Sequence, residues 1–208
     1  RCEIAVDKNA NTITVEGHTS KVLQVKDPTQ LPWNDLQIDI VVEATGLYES
    51  FEKAKVHLDA GAKHVVLTAP AKDDEGVAGG KTILMGINDA ALSTCPISSN
   101  ASCTTNSAAP VIQILSENPG IEKAMLSTVH AMTTTQNLAD GPVNGGKDFR
   151  RGRAASQNIV PSTTGAAIAV TRAVPSLENK FDGIALRVPT IAGSLSDITF
   201  VSKRRTSV

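Results

Sequence analysis

Aromatic side chains make up only 3% of this chain. So sparse a supply leaves little with which to build base-stacking platforms for nucleic acid. Charge of either sign in excess is also missing. Lys plus Arg is 20 and Asp plus Glu is 21, a formal net charge of −1. That balance sets up no field to attract nucleic acid or an anionic membrane. No apolar run approaches the roughly 20 residues of a membrane-spanning helix. Cysteines are few and odd in number: Cys2, Cys95 and Cys103. Such a set argues against a disulfide framework and for a reducing compartment. The first residue is Arg1, not Met, which leaves room for a targeting segment upstream. The match of Asn100-Ala101-Ser102 to a glycosylation sequon reads as chance.

Apolar residues form 41% of the 208, enough for one large core or two modest ones. Residues 1–36 are polar and turn-rich. Thr12 to Val15 alternates as a strand, Lys21 to Val25 reads as a second, and Trp33 reads as a packing residue. A different texture begins at Ile38. Ile38 to Val42 reads as a buried strand, Phe51 to Ala60 as a helix closed by Gly61, His64 to Thr68 as a strand and Thr82 to Gly86 as a third. Strand, helix and strand within about 30 residues predict a parallel sheet, which binds ligands at the carboxyl ends of its strands. The spacing then predicts a helix over 107–116, a strand over 124–129, a long loop over 133–161, a helix after Gly165 and strands over 183–188 and 194–202. This second half reads as α+β with a largely antiparallel sheet, and its loop is too long to be idle.

Within SNASCTTN (Ser99 to Asn106), Cys103 lies among hydroxyls and amides, whereas a cysteine that merely fills space keeps apolar company. It falls at a helix start, where free N–H groups favour a thiolate, the form that attacks carbonyls. The bland alternative for a lone cysteine is a small buried thiol. His130, at the end of the 124–129 strand, is the candidate base. His18 in a turn, His57 on a charged helix and His64 at a strand start read as surface residues. Ser162 to Ala167 opens another helix, which serves either as an anion site or as an ordinary cap. Arg187 interrupts an apolar strand and calls for an anionic partner, whereas Arg150, Arg151 and Arg153 read first as a solvated run. The P-loop-like stretch Gly76 to Thr82 fails, because position 75 is Glu75 and a strand, not a helix, follows.

In order, these motifs resemble the phosphorylating glyceraldehyde-3-phosphate dehydrogenase family over essentially all 208 residues. SNASCTTN resembles its nucleophile motif and TVHAMTTTQ (Thr128 to Gln136) its histidine motif. RRGRAASQNIVPSTTGAA (Arg150 to Ala167) resembles its S-shaped loop and anion turn, and ALRVPT (Ala185 to Thr190) its substrate-arginine strand. DIVVEATG, HLDAGAKHVVLTAPAK and ILMGIN resemble the second half of its cofactor domain.

The resemblance implies an α/β chain: a truncated Rossmann-type NAD-binding domain over 1–102, then a truncated α+β catalytic domain over 103–208 with a mostly antiparallel sheet. It implies Cys103 as nucleophile and His130 as its base. Ser102, Thr104, Thr164 and Gly165 would hold inorganic phosphate, and Thr133, Arg151 and Arg187 the substrate phosphate. Thr45, Gly46, Thr68 and Asn106 would line NAD, with no metal. Glycolytic oxidation of glyceraldehyde 3-phosphate in a cytoplasmic homotetramer follows. The chain departs from the family in having no G-x-G-x-x-G, in Ser107 where many members have cysteine, and in a long loop from Asp73 to Lys81. The family also extends beyond both ends, so the expectation is a piece of a longer enzyme, inactive alone. The NAD versus NADP choice is not legible here. The rivals are an erythrose-4-phosphate dehydrogenase, disfavoured by the Thr164-Gly165 turn and Thr133, a non-catalytic assembly module, and a cysteine hydrolase that would leave two anion sites idle.

Overall fold

A computed structural model describes residues 2–143 and 148–207. Residues 144–147, part of the long loop read from the sequence, lie outside that description. The chain opens with an antiparallel meander of β1 (Ile4–Asp7), β2 (Thr12–Val15) and β3 (His18–Lys21). Here the sequence reading needs correction. Of the segment 21–25 only Lys21 is in a strand, because β2 pairs instead with 18–21 across the tight turn at Glu16 and Gly17. His18 is therefore an exposed strand residue and not a turn residue.

The first large sheet is wholly parallel. Its strands are β4 (Ile40–Glu43), β5 (His64–Leu67), β6 (Gly80–Thr82) and β7 (Ile97–Ser99), in the order β4-β5-β7-β6. Helix α1 (Phe51–Asp59) forms the crossover from β4 to β5. Ser50 caps it by accepting the Lys53 N–H. Asp73 adds a second cap from a distant loop, its carboxylate accepting from Phe51 N–H at 2.9 Å and Glu52 N–H at 3.0 Å. Phe51, Ala54, Val65, Leu67, Ala71 and Ile97 make the core on this side. Gly80 lets β6 lie against Phe51, where an added Cβ would stand 2.2 Å from the ring. The expectation that the first strand is buried fails for one face. Ile40 and Val42 are exposed, since α1 covers only the other side.

The third strand also differs from its sequence reading. Pairing ends at Thr82, after which the Leu84 N–H goes to Asn88 Oδ1 and not to a neighbouring strand. Leu84 is buried in the second core instead. The rejected P-loop stretch is a short 3-10 turn, Val77–Gly79, running into β6.

Helix α2 (Cys103–Glu117) leads into the second sheet, which is ordered β11-β8-β10-β9. Its members are β8 (Ile121–Ala131), β9 (Val160–Thr163), β10 (Phe181–Val188) and β11 (Ser194–Ser202). Two pairings are antiparallel and the central β8–β10 pairing is parallel. Helix α3 (Ala166–Ala173) supplies that crossover. Alanines let α2 and α3 pack closely: Ala108, Ala109, Ala166, Ala167, Ala169 and Ala173 share one core with Ile112, Leu126 and Val170. No helix among the described residues is long and apolar enough to cross a membrane.

Candidate active site

All three pairings of the first sheet are parallel, so the carboxyl ends of β4, β5 and β7 share one edge. The backbone following β7 turns straight into α2, with Ser102 as its cap: Ser102 Oγ accepts the Thr105 N–H at 3.1 Å. Cys103 is therefore the first helical residue, exposed, at the positive end of the helix dipole. In β8 and β10 the register pairs His130 with Arg187. That register brings an imidazole and a guanidinium to the same sheet terminus. His130 Nε2 lies 3.4 Å from Cys103 Sγ.

His130 Nδ1 has two neighbours. Ala131 O is 2.8 Å away and Arg187 Nη1 is 2.6 Å away. A guanidinium can only donate, so Nδ1 either donates to Ala131 O or accepts from Arg187, never both. Arg187 is half-buried and also donates to Ala131 O at 3.3 Å. Burial first, and Arg151 second, hold its pKa below the ordinary value, while Cys103 opposes them. The long loop folds back to add Arg151, whose Nη1 donates to Thr135 Oγ1 at 2.9 Å. Thr135 Oγ1 is 3.1 Å from Thr133 Oγ1, and buried Gln136 accepts the Thr133 N–H at 3.1 Å. Arg187 thus stands against His130, while Arg151 and Thr133 are linked to each other through the Thr135 hydroxyl. Thr135 and Gln136 were not singled out; three consecutive threonines give no clue which hydroxyl faces an arginine. Arg150 and Arg153 pair with Asp148 and Asp140 at the surface, and Arg151 Nε also stands 3.7 Å from Asp148 Oδ2.

The expected phosphate turn is less open. Thr164 Oγ1 accepts the Ala166 N–H at 3.1 Å, and Gly165 is the residue before α3, an ordinary capping arrangement. Thr104 is buried and Ser102 is engaged as a cap.

On the shared edge, a groove of about 180 Å³ is lined by Glu43, Ala44, Gly46, Tyr48, Glu49, Leu67, Thr68 and Ala69. Gly46 has φ +74° with open space beside it, a conformation that disfavours any side chain. Thr45 adjoins the groove and Asn106 does not line it. The Asn106 amide donates to Asn100 O and Ser102 O and so braces the Cys103 turn. The groove is small against the roughly 300 Å³ or more of a typical cofactor site.

His57 and His64 correct the reading of both as surface residues. His57 is buried, with Nε2 2.9 Å from Glu43 Oε2. His64 is half-buried against Ser98 Oγ at 3.0 Å, and burial lowers its pKa. Among the described residues no group of three His, Cys, Asp or Glu is placed to hold a metal.

Residues 102–208 match the family described as glyceraldehyde 3-phosphate dehydrogenase, C-terminal domain, and residues 1–51 match its NAD binding domain. Glyceraldehyde-3-phosphate dehydrogenase 1 of Kluyveromyces lactis is 45% identical over 194 residues, covering 93% of this chain and 56% of the relative. The Mycobacterium tuberculosis glyceraldehyde-3-phosphate dehydrogenase is 47% identical over 209 residues, 100% of this chain and 59% of the relative. That of Mycobacterium avium is 48% identical over 200 residues, 95% and 57% respectively. The chain thus spans 56% to 59% of the length of these relatives. With one domain family covering half the chain and His130 in contact with both Cys103 and Arg187, the chain belongs to the glyceraldehyde-3-phosphate dehydrogenase family.

Proposed function

We propose that the protein carrying this chain oxidises glyceraldehyde 3-phosphate with NAD and traps the product with inorganic phosphate, residues 1–102 serving the cofactor and 103–208 the chemistry. The observation that carries this reading is the 3.4 Å approach of Cys103 Sγ to His130 Nε2 beside Arg187.

Arg187, Arg151 and Thr133 take the substrate phosphate, the arginines as charged forks. An anion there draws Arg187 away from His130 Nδ1. Nδ1–H then donates to Ala131 O, and Nε2 is left free to accept a proton. Nε2 takes the Cys103 thiol proton, the thiolate adds to the aldehyde carbon, and Nε2–H returns that proton to the carbonyl oxygen to give a thiohemiacetal; the same nitrogen takes the hydroxyl proton back as the hydride leaves. NAD, bound with one end at Thr45, Gly46 and Thr68, supplies the hydride acceptor. The acyl group remains on Cys103 as a thioester. Phosphate held by Ser102, Thr104, Thr164 and Gly165 attacks it, releasing the acyl phosphate and restoring the thiolate. Asn106 serves the site from behind, through the turn it braces.

The reading carries with it a cytoplasmic homotetramer. The exposed apolar side chains Met125, Leu195 and Val201 on the second sheet support assembly. The test is a single-turnover measurement. Glyceraldehyde 3-phosphate and NAD without phosphate should give a burst of NADH equal to the number of sites, and phosphate should restart turnover. Continuous turnover without phosphate would contradict the thioester step, and a faster reaction with erythrose 4-phosphate would move the assignment to that substrate.

A further inference from the structure

Glu43 ends β4 and is buried, yet it plays no part in the chemistry at Cys103. A buried carboxylate is costly unless its oxygens are satisfied. Here every partner belongs to the cofactor groove or to the elements behind it. Oε1 accepts the Thr45 N–H at 2.7 Å and the Thr45 hydroxyl. The Glu43 backbone carbonyl accepts both the N–H and the hydroxyl of Thr68, each at 3.1 Å. One residue therefore anchors the loops after two neighbouring strands, β4 and β5.

Behind it, Oε2 faces His57 Nε2 at 2.9 Å, and Trp33 Nε1 stands 3.3 Å from His57 Nδ1. An indole nitrogen can only donate. Nδ1 must therefore accept, which leaves the proton on Nε2, donated to Glu43. The chain Trp33 to His57 to Glu43 has one direction. On the groove side, Thr45 and Thr68 both spend their hydroxyl protons on Glu43. Thr45 Oγ1 also accepts the Leu47 N–H at 3.1 Å, so one lone pair on Thr45 and those on Thr68 are what remain for a ligand.

We propose that Glu43 is a positioning residue for the cofactor groove, its carboxylate locked by the Trp33–His57 relay, and that this carboxylate polarises Thr45 into an acceptor for a donor group of a bound dinucleotide, a ribose hydroxyl or the carboxamide, beside Thr68, which the Glu43 backbone carbonyl orients. This inference rests on the groove being the NAD site.

The test combines NAD titration of the intact protein with nitrogen NMR of the imidazoles. In Glu43→Gln the amide NH2 meets a donor whichever way it turns, so NAD should bind about tenfold to a hundredfold more weakly, the range expected for one misplaced charge-assisted bond. Adding Trp33→Phe frees His57 to carry its proton on Nδ1, so Nε2 can accept from the amide introduced at position 43. The double variant should then bind NAD several-fold more tightly than Glu43→Gln alone. Additive loss, or no loss in Glu43→Gln, would overturn the proposal. If the variants do not fold, the unaltered protein decides: His57 should be in the Nε2–H form, and an Nδ1–H or mixed form would overturn the relay. An unaltered protein that does not bind NAD would overturn the cofactor reading, while the NMR result would still judge the relay.

Discussion

Cys103 and His130 meet because a helix start and a strand end converge on one edge, and each is useful only because of what lies beside it. Arg187 is the neighbour with the clearest consequence. Charge-assisted bonds to a phosphate contribute about 1.5–3 kcal/mol. Arg187→Ala should therefore raise KM for the phosphorylated aldehyde roughly tenfold to a hundredfold while raising that for unphosphorylated glyceraldehyde far less, a comparison that steady-state kinetics makes directly. Arg187→Lys should restore little, since the guanidinium fork is lost. Glu43 gives a pH prediction. Burial pushes its carboxyl up, but hydrogen bonds from the Thr45 hydroxyl, His57 and the Thr45 N–H outweigh burial and hold its pKa below the ordinary range. A depressed acid stabilises the fold fully above its unfolded pKa, about 4.3, and less as pH falls through the folded value. Denaturation curves should show the unaltered protein losing its advantage over Glu43→Gln below about pH 4. Cys103, His130, Arg151 and Arg187 were legible because their motifs are local. His57 was not: Lys53, Lys55 and Asp59 disguise its helix as solvated, and its partners Glu43 and Trp33 come from other segments.

At the scale of elements, strong periodicity was readable and sparse pairing was not. The strand over 194–202 and the core of α1 follow their patterns, whereas β7 escaped because Ser98 and Ser99 are buried serines that read as loop. Helix α2 begins at Cys103, the start read from the sequence, four residues before the apolar run at 107–116, since its first turn is polar. The loop after β5 is held by local chemistry that no pattern announces. Asp73 caps α1, Glu75 accepts from the Thr82 N–H and hydroxyl, and Arg172 of α3 donates to Ala71 O and Asp73 O. Asp73→Ala should lower stability by about 1 kcal/mol, the usual worth of a cap, measurable by denaturant unfolding. Gly80→Ala should cost about 1–3 kcal/mol by overpacking against Phe51, and shortening the ring in a Phe51→Leu background should recover part of that loss.

Across the whole molecule, the two sheets are joined by the α2 connection and by the Arg172 contacts, so the turn leaving the first sheet and the His130–Arg187 terminus of the second meet at Cys103. The groove is smaller than a typical cofactor site, and we expect the 208 residues by themselves to show no turnover; measurable NADH formation by this chain alone would contradict that. The most direct measurement is phosphate-dependent NADH formation by the full-length protein with Cys103 alkylated or replaced in Cys103→Ala. The account predicts that the activity vanishes in both. Activity persisting in the Cys103→Ala protein would contradict the assignment of Cys103 as the nucleophile.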